Sequence, residues 1–334
     1  MPKSTYRAGI TGLGVAVPDK VLTNLDLQQM VDTSDEWIRT RTGIKERRIA
    51  DSEQAASDLA VDAASEALKD AGLRPESVDL IIVATNTPDM LMPATACMVQ
   101  DRLGAANAGA FDLLAGCTGF LYALSVGHQY IASGTFKTVL VIGAETLSKI
   151  INWKDRNTCV LFGDGAGAAV LERVPDNRGI LSTRLGSDGS GGKHLKVPAG
   201  GSRLPASEAT IQENLHYVTM NGREVFRFAV RAMGEGAMEV ISMAGLAPED
   251  INFFIPHQAN IRIIETAARR VGINMNRVLV NVDRFGNTST ASIPIALYEA
   301  VKQKKIKDGQ NIIMVGFGAG LTWAGLAVKW YQKQ

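Results

Sequence analysis

The sequence predicts a layered α/β fold made of two similar halves. Residues 71–82 (AGLRPESVDLII) and 244–255 (AGLAPEDINFFI) are near copies 173 positions apart, each a helix end, a turn and a buried strand. The same spacing separates residues 140–143 (LVIG) from 313–316 (IMVG), each an apolar strand that ends in glycine. Helical runs alternate with continuous apolar strands, a pattern typical of parallel or mixed sheets covered on both faces.

Each predicted element is a run of suitable residues bounded by glycine, proline or polar turns. The strands are apolar runs at residues 6–17, 78–84, 138–142, 167–171, 251–255, 278–280 and 311–316. The helices are longer runs between them, at residues 55–71, 119–133, 222–243, 259–271 and 288–304. We therefore expect one half at residues 1–174 and the other at residues 175–334.

The segment 175–215 is rich in glycine, serine and proline. This composition predicts a connection between the halves together with surface loops. Two interpretations stay open at this point, a solvated linker and a cover over a substrate entrance.

Composition and charge narrow the class of protein. The net charge of +1 provides no overall field to attract nucleic acid or an anionic membrane, so we expect neither as a partner. The three cysteines, Cys97, Cys117 and Cys159, have no CxxC spacing, which argues against a disulfide framework and a thiolate metal site. The first ten residues, MPKSTYRAGI, contain no apolar signal-peptide core, so we expect a reducing, cytoplasmic setting.

One uncharged stretch, residues 312–328, approaches the length of a membrane span. It contains four glycines, which fit better with two buried strands joined by a tight turn. We predict the two strands.

Cys117 is the candidate nucleophile, since it lies where a strand passes through Ala115 and Gly116 into a long apolar helix. A thiol at a helix N-terminus lies near the positive end of the helix dipole, which predicts a lowered pKa. A buried core cysteine is the alternative at this point. Cys97 and Cys159 lack such a turn, and we assign both to the core.

His257 and Asn287 are the candidate partners of this cysteine. His257 lies at the end of a buried strand where a helix begins, so we expect a neutral imidazole that donates a hydrogen bond. Asn287 follows Gly286 in a turn that corresponds, in the second half, to the turn of Cys117. A helix cap is the alternative for Asn287, and also for Asn260.

The glycine-rich turn at residues 316–320 (GFGAG) is expected to present backbone amides to the same cavity. Together with the amide of Cys117, such amides suit an oxyanion hole. This turn does not match GxGxxG ahead of a helix, so a nucleotide site is not supported.

These strings closely resemble the β-ketoacyl-acyl-carrier-protein synthase III family of the thiolase-like fold. The matching segments extend over nearly the whole chain and read SDEWIRTRTGI, ACMVQ, GCTGFLYALSVG, FGDGAGAAVL, PHQANIRI, FGNTSTASIP and GFGAGLTW. The resemblance implies duplicated βαβαβ halves in a five-layer αβαβα sandwich, and a homodimer.

The resemblance also implies a decarboxylative Claisen condensation that initiates fatty acid synthesis. Cys117 would accept the acyl group of an acyl-CoA primer, and its amide and that of Ala319 would form the oxyanion hole. His257 and Asn287 would assist decarboxylation of malonyl-acyl-carrier protein, and the product would be a β-ketoacyl-acyl-carrier protein. No metal or redox cofactor is implied.

The resemblance assigns further residues to substrate contacts. Residues expected to contact coenzyme A are Trp37, Arg41, Arg156 and Asn260. Residues expected to bind the acidic carrier protein are Arg227, Arg262, Arg269 and Arg270, although a solvated basic helix face is the alternative. Met92 would reach the acyl pocket of the partner subunit, at a position where many members have phenylalanine.

Other functions share parts of this pattern. A related condensing enzyme or acyltransferase of secondary metabolism would use the same three residues. A papain-like cysteine peptidase has Cys, His and Asn in the same order, but its cysteine lies in a different motif near the mature N-terminus. A non-catalytic relative is expected to lack one of the three residues.

Overall fold

The computed structural model describes residues 6–333, so half of the ten residues that bear on a signal peptide lie outside the described part. The strands are β1 Arg7–Ala16, β2 Val21–Thr23, β3 Glu46–Arg48, β4 Leu80–Ala84, β5 Gly109–Leu113, β6 Thr138–Glu145, β7 Gly165–Val174, β8 Gly179–Ser187, β9 Leu195–Lys196, β10 Thr219–Met220, β11 Phe253–Pro256, β12 Asn311–Gly318 and β13 Thr322–Lys329. The helices are α1 Asn24–Leu27, α2 Asp35–Thr42, α3 Ala56–Ala71, α4 Thr95–Leu103, α5 Gly119–Ala132, α6 Arg156–Cys159, α7 Glu208–Gln212, α8 Gly222–Met243, α9 Ile261–Val271, α10 Val282–Phe285 and α11 Ser292–Lys302.

The two larger sheets repeat one topology, as the duplicated sequence predicts. In the first sheet the strand order is β1-β7-β6-β4-β5, and β4 is parallel to both β5 and β6. In the second sheet the order is β8-β13-β12-β11, so these strands correspond in turn to β1, β7, β6 and β4. The boundary between the halves at residues 174 and 175 falls between β7 and β8, and it stays a prediction.

Five layers result from the packing of helices on these sheets. Helices α5 and α11 lie between the sheets, because α5 contacts strands of both and α11 contacts β1, β7 and β11. Helices α3 and α4 cover the outer face of the first sheet, while α8 and α9 cover the second. One buried apolar cluster lies between the two sheets, and one lies between each sheet and its outer helices. The predicted five-layer αβαβα sandwich is confirmed.

Two sequence predictions about elements were wrong. Residues 278–280 form no strand. Val278 makes a single β-bridge to Phe254 of β11, the strand that corresponds to β4, and in the first half β4 pairs there with a full strand, β5. The segment 175–215 is more than a linker, because β8 lies inside it and pairs with β13. Glycines and polar residues in β8 hid a strand that is buried mainly near its start.

The uncharged stretch at residues 312–328 forms the hairpin of β12 and β13, as predicted. Within residues 6–333, no helix is long and apolar enough to cross a membrane.

Strand β1 packs closely against α3, and Gly14 is the point of contact. A Cβ at Gly14 would lie 2.1 Å from the carbonyl oxygen of Ala63 and 2.4 Å from the amide nitrogen of Ala67. Because both neighbours are helix backbone, neither can move aside easily. The absence of a side chain at Gly14 therefore sets the distance between this strand and α3.

We expect Gly14→Ala to lower the free energy of unfolding by about 3 kcal/mol, since overpacking moves a strand away from its helix. Urea denaturation followed by circular dichroism measures this change. Gly201→Ala is the matched control, because a Cβ at Gly201 meets no atom within 4 Å. Equal stability of the two variants would contradict this account of the β1–α3 contact.

Candidate active site

An apolar cavity of about 430 Å³ lies where the two halves meet, with Cys117 in its wall. The turn before α5 provides Leu114 to Cys117, and the turn between β12 and β13 provides Ala319 and Gly320. Part of the opposite wall comes from residues 195–197. The segment 175–215 therefore contributes residues to the cavity wall.

The Cys117 turn and the β12–β13 turn touch through their backbones. A Cβ at Gly318 would lie 2.3 Å from the amide nitrogen of Cys117, and one at Gly116 would lie 2.6 Å from the amide nitrogen of Ala319. Gly116 also has a φ of +58°, which glycine adopts without steric cost. Hydroxyl groups join the same turns, because Thr322 Oγ1 donates to the carbonyl oxygen of Ala115 over 2.9 Å.

The sulfur of Cys117 lies in an environment that opposes ionisation. Burial raises the pKa of the thiol to about 11, and the nearby charge of Glu145 acts in the same direction. Hydrogen bonds from the Ser289 hydroxyl and from the amides of Cys117 and Ala319 lower this pKa but do not outweigh burial. The expected lowering of the pKa by the helix terminus was therefore wrong, because desolvation exceeds the effect of the dipole.

His257 follows β11 and is fully buried. Its Nδ1 lies 2.6 Å from the Ser292 hydroxyl, and Nε2 has no partner within the described residues. The Ser292 oxygen accepts from the Gln258 amide over 3.4 Å, so we assign the hydroxyl proton to Nδ1 and the imidazole proton to Nε2. Burial lowers the pKa of His257 to about 3, and the imidazole is neutral as predicted.

Asn287 is buried in the turn before α11. Its Oδ1 accepts a hydrogen bond of 2.9 Å from the amide of Ser289, the first residue of the following 3₁₀ turn. Its backbone is held by Leu161 and Gly163 through two further hydrogen bonds. Since Oδ1 is occupied, the Nδ2 group is the part of the side chain suited to donate to a ligand.

The three candidate residues lie close to the Cys117 turn. Gly316 separates His257 from the Cys117 turn, because a Cβ at Gly316 would lie 3.6 Å from both His257 Cβ and Thr118 Cγ2. Ser289, which is bonded to Asn287, lines the cavity beside Cys117. A thiol in the cavity wall, a neutral imidazole and a carboxamide therefore lie near the Cys117 turn. This set suits acyl transfer through a covalent thioester.

A second, polar cavity of about 630 Å³ adjoins the first. Val160 and Leu161 line the outer cavity and Phe162 lines the inner one, so one stretch of chain forms the wall of both. The outer cavity also contains Trp37, Arg41 and Asn260, three of the four residues expected to contact coenzyme A. The outer cavity is therefore lined in part by basic residues, whereas the inner cavity beside Cys117 is mainly apolar.

Arg156, the fourth of these residues, packs against Trp37. Its guanidinium carbon lies 5.0 Å from the centre of the indole ring, and Nη1 donates to the carbonyl oxygen of Asp32 over 2.7 Å. A base that stacks between two side chains requires those side chains to lie about 7 Å apart. The Arg156 side chain must therefore move by about 2 Å before a base can stack between it and Trp37.

The remaining predicted residues lie on the surface. Arg262, Arg269 and Arg270 share the exposed face of α9, and Arg227 lies on the neighbouring α8. Arg227 forms an ion pair with Glu224, and Arg270 forms one with Glu235. Among the described residues, Arg262 and Arg269 form none. Met92 is 81% exposed and lies outside the cavity of its own chain.

The other two cysteines differ from each other. Cys159 is buried as expected, and burial raises the pKa of its thiol to about 11. Cys97 is exposed, so its assignment to the core was wrong. It lies on the open face of α4, whose opposite face is buried through Thr95, Ala96 and Val99. Within residues 6–333, no group of three His, Cys, Asp or Glu side chains is placed to hold a metal ion.

Asn86 and Ser289 are among the polar residues of the cavity that sequence reasoning missed. Asn86 follows the end of β4, where strand ends of the first sheet meet the cavity. Ser289 lies two positions after Asn287, within the same turn. Position in a strand-end turn was the available signal for both residues.

Comparison with known proteins decides the family. The model for 3-oxoacyl-[acyl-carrier-protein] synthase III matches residues 111–189, and the model for its C-terminal part matches residues 241–330. The β-ketoacyl-[acyl-carrier-protein] synthase III of Caldanaerobacter subterraneus is 60% identical over 97% of this chain and 98% of its own length. The chain belongs to the β-ketoacyl-acyl-carrier-protein synthase III family. The Clostridioides difficile member is 54% identical, with the same coverage.

Solved structures of synthase III proteins share the architecture. The Aquifex aeolicus enzyme superposes with a TM-score of 0.90 at 50% identity, covering 97% of this chain and all of the other. A priming β-ketosynthase of the R1128 polyketide pathway has a TM-score of 0.91 at 36% identity, covering 100% and 99% of the two chains. Xanthomonas campestris OleA, at 22% identity and a TM-score of 0.84, shows the fold alone.

The buried imidazole of His257 predicts a specific sensitivity to acid. The native state keeps His257 neutral down to about pH 3, whereas the unfolded chain takes up a proton below its ordinary pKa of 6.5. The unfolded state therefore binds more protons in this window, and the free energy of unfolding falls with acidification by up to about 1.4 kcal/mol per pH unit. We expect His257→Gln to lack this contribution. Urea denaturation of both proteins at several pH values tests it, and parallel pH dependences would contradict it.

Proposed function

We propose that this protein condenses an acyl-CoA primer with malonyl-acyl-carrier protein to give a β-ketoacyl-acyl-carrier protein, the step that initiates fatty acid synthesis. The observation that supports it most is the position of Cys117 in the wall of an apolar cavity, with His257 and Asn287 close to the same turn. Membership of the synthase III family supports the reaction class. The proposed reaction needs no metal or redox cofactor.

The first step transfers the acyl group to Cys117. The sulfur attacks the thioester carbonyl carbon, a new carbon–sulfur bond forms, and the bond to the sulfur of coenzyme A breaks. Coenzyme A leaves with the proton that the Cys117 thiol gives up. The amides of Cys117 and Ala319, which lie near this sulfur, would stabilise the oxyanion of the tetrahedral intermediate.

The second step uses the two neutral donors. Malonyl-acyl-carrier protein loses carbon dioxide, and the electron pair moves onto its thioester oxygen as an enolate. His257 Nε2 and Asn287 Nδ2 would donate hydrogen bonds to that oxygen, where negative charge exists only after decarboxylation. The enolate carbon then attacks the acyl-cysteine, and Cys117 leaves as a thiolate. A histidine that is neutral at physiological pH fits this donation.

The adjoining cavities support an acyl-CoA as the primer. Trp37, Arg41, Arg156 and Asn260 would contact coenzyme A in the outer, basic cavity. The acyl chain would enter the apolar part beside Cys117. The exposed Met92 would complete the acyl pocket of a partner subunit in a homodimer, and we place this enzyme in the cytoplasm.

Cysteine peptidase chemistry has less support. In the papain arrangement the asparagine orients the histidine. Here the Nδ1 atom of His257 contacts Ser292, and the Oδ1 atom of Asn287 accepts from Ser289. A priming synthase of secondary metabolism would use the same site. The chain is 60% identical to a β-ketoacyl-[acyl-carrier-protein] synthase III and 36% identical to the R1128 priming β-ketosynthase, which favours the first assignment.

Intact-protein mass spectrometry tests the proposed reaction. We expect acetyl-, isobutyryl-, butyryl- or octanoyl-CoA to acylate the protein but not Cys117→Ala, and malonyl-acyl-carrier protein to remove the adduct. His257→Ala and Asn287→Ala should slow condensation at least about 100-fold and acylation far less. An adduct that persists in Cys117→Ala would contradict the assignment of the nucleophile. A larger effect of the two variants on acylation would contradict their assigned donation.

The exposed arginines of α8 and α9 are our proposed docking surface for the acidic carrier protein. We expect Arg269→Glu with Arg270→Glu to raise KM for malonyl-acyl-carrier protein about tenfold while acylation by acyl-CoA stays unchanged. Arg102→Glu is the matched control, because it breaks an exposed ion pair with Asp58 in the opposite outer layer. Equal effects of both changes, or loss of acylation, would argue against this surface.

A further inference from the structure

Glu145 is a fully buried carboxylate at the end of β6, close to Cys117. Neutral donors surround it: Oε1 accepts from Asn86 Nδ2 over 2.6 Å and from the Thr290 hydroxyl over 3.0 Å. Oε2 accepts from the Asn86 amide over 3.1 Å and from the Thr87 hydroxyl over 2.9 Å. Burial raises the pKa of Glu145, and these hydrogen bonds oppose that change. The Glu145 carboxylate has no role in the proposed reaction steps.

Asn86 connects Glu145 to Ser289. Its Nδ2 group has two hydrogens, and it lies 2.6 Å from Glu145 Oε1 and 3.0 Å from Ser289 Oγ. Both hydrogens are therefore donated, and the carboxylate fixes the orientation of the amide. Because Ser289 Oγ accepts from Asn86, the hydroxyl hydrogen of Ser289 remains available to a third group.

The third group is the sulfur of Cys117. Asn86, Cys117 and Ser289 line the same cavity, and the Ser289 hydroxyl lowers the pKa of the Cys117 thiol. The same hydroxyl lowers the pKa of Glu145, so its single hydrogen can be donated to the carboxylate or, once the sulfur is ionised, to the thiolate. Lys196 in the cavity wall is a further charged group near the sulfur, whereas the imidazole of His257 is neutral.

The backbone of Ser289 is held in an unusual conformation. Its φ is +48°, in the left-handed region that serine seldom adopts. In this conformation its amide donates to Asn287 Oδ1, while Ser289 lines the cavity together with Cys117. One residue is thus bonded to a candidate donor and shares a cavity with the candidate nucleophile.

We propose that Ser289 is a further catalytic residue, whose hydroxyl donates a hydrogen bond to the Cys117 sulfur whenever that sulfur is negatively charged. The sulfur bears this charge before it attacks the primer and again when it leaves the new β-keto product. Asn86 and Glu145 are positioning residues, which hold the hydroxyl in place. The inference rests on the proposed condensing function.

Two variants separate the hydroxyl from the backbone of Ser289. Ser289→Gly removes the hydroxyl, accepts the positive φ and keeps the amide that binds Asn287. Ser289→Ala removes the same hydroxyl with a side chain that retains the strain. Ser182→Ala is the matched control, because it removes a buried hydroxyl that donates to Val240 on the outer side of the second sheet.

The readouts are the rate of Cys117 alkylation by iodoacetamide from about pH 6.5 to 9, and the rate of acylation by acetyl-CoA. Peptide mass mapping separates Cys117 from the exposed Cys97. Loss of a hydrogen bond to a charged group should raise the thiol pKa by about one to two units. Each remaining thiolate is then more nucleophilic, so we expect both rates to fall about three- to tenfold in both Ser289 variants.

Asn86→Ala should slow alkylation in the same direction but less, because it leaves the hydroxyl present and only loosens its position. Unchanged rates in Ser289→Gly, or an equal loss in Ser182→Ala, would overturn the inference. Wild-type protein that is alkylated but never acylated would instead overturn the proposed function. In that case the alkylation rates alone decide whether Ser289 assists the thiolate.

Discussion

The contact between two backbone turns, one from each half, is the constraint on which the site depends. Gly318 and Gly116 allow the Cys117 turn and the β12–β13 turn to approach more closely than any side chain would permit. This approach brings the amides of Cys117 and Ala319 to one sulfur atom. Because both turns end strands or begin helices of the central layers, the packing of α5 between the sheets holds them in register.

Desolvation governs the chemistry of the groups gathered there. It keeps the thiol of Cys117 protonated and the imidazole of His257 neutral, and it raises the pKa of Glu145. Negative charge on the Cys117 sulfur therefore meets neutral donors, while the cation Lys196 lies in the cavity wall. Such donors are most effective where charge develops during reaction, since their fixed orientation needs no rearrangement in a low-dielectric site.

The duplicated halves explain both the successes and the failures of prediction. The repeated strings placed corresponding strands in both sheets, and α8 has the predicted bounds. The second half departs from the first where the fifth strand is reduced to one bridge at Val278, although its local sequence is apolar. Strand β8 escaped notice because pairing with β13, rather than a continuous apolar run, makes it a strand.

The sequence by itself determined the layered α/β class, the alternation of elements and the three turns that contain Cys117, His257 and Asn287. Each of these is written in local patterns of apolar residues and glycines. Only the tertiary structure decided the pKa of Cys117, the partner of the His257 ring and the cluster around Glu145. These depend on burial and on contacts between residues far apart in the chain, such as Asn86 with Ser289, which no local pattern specifies.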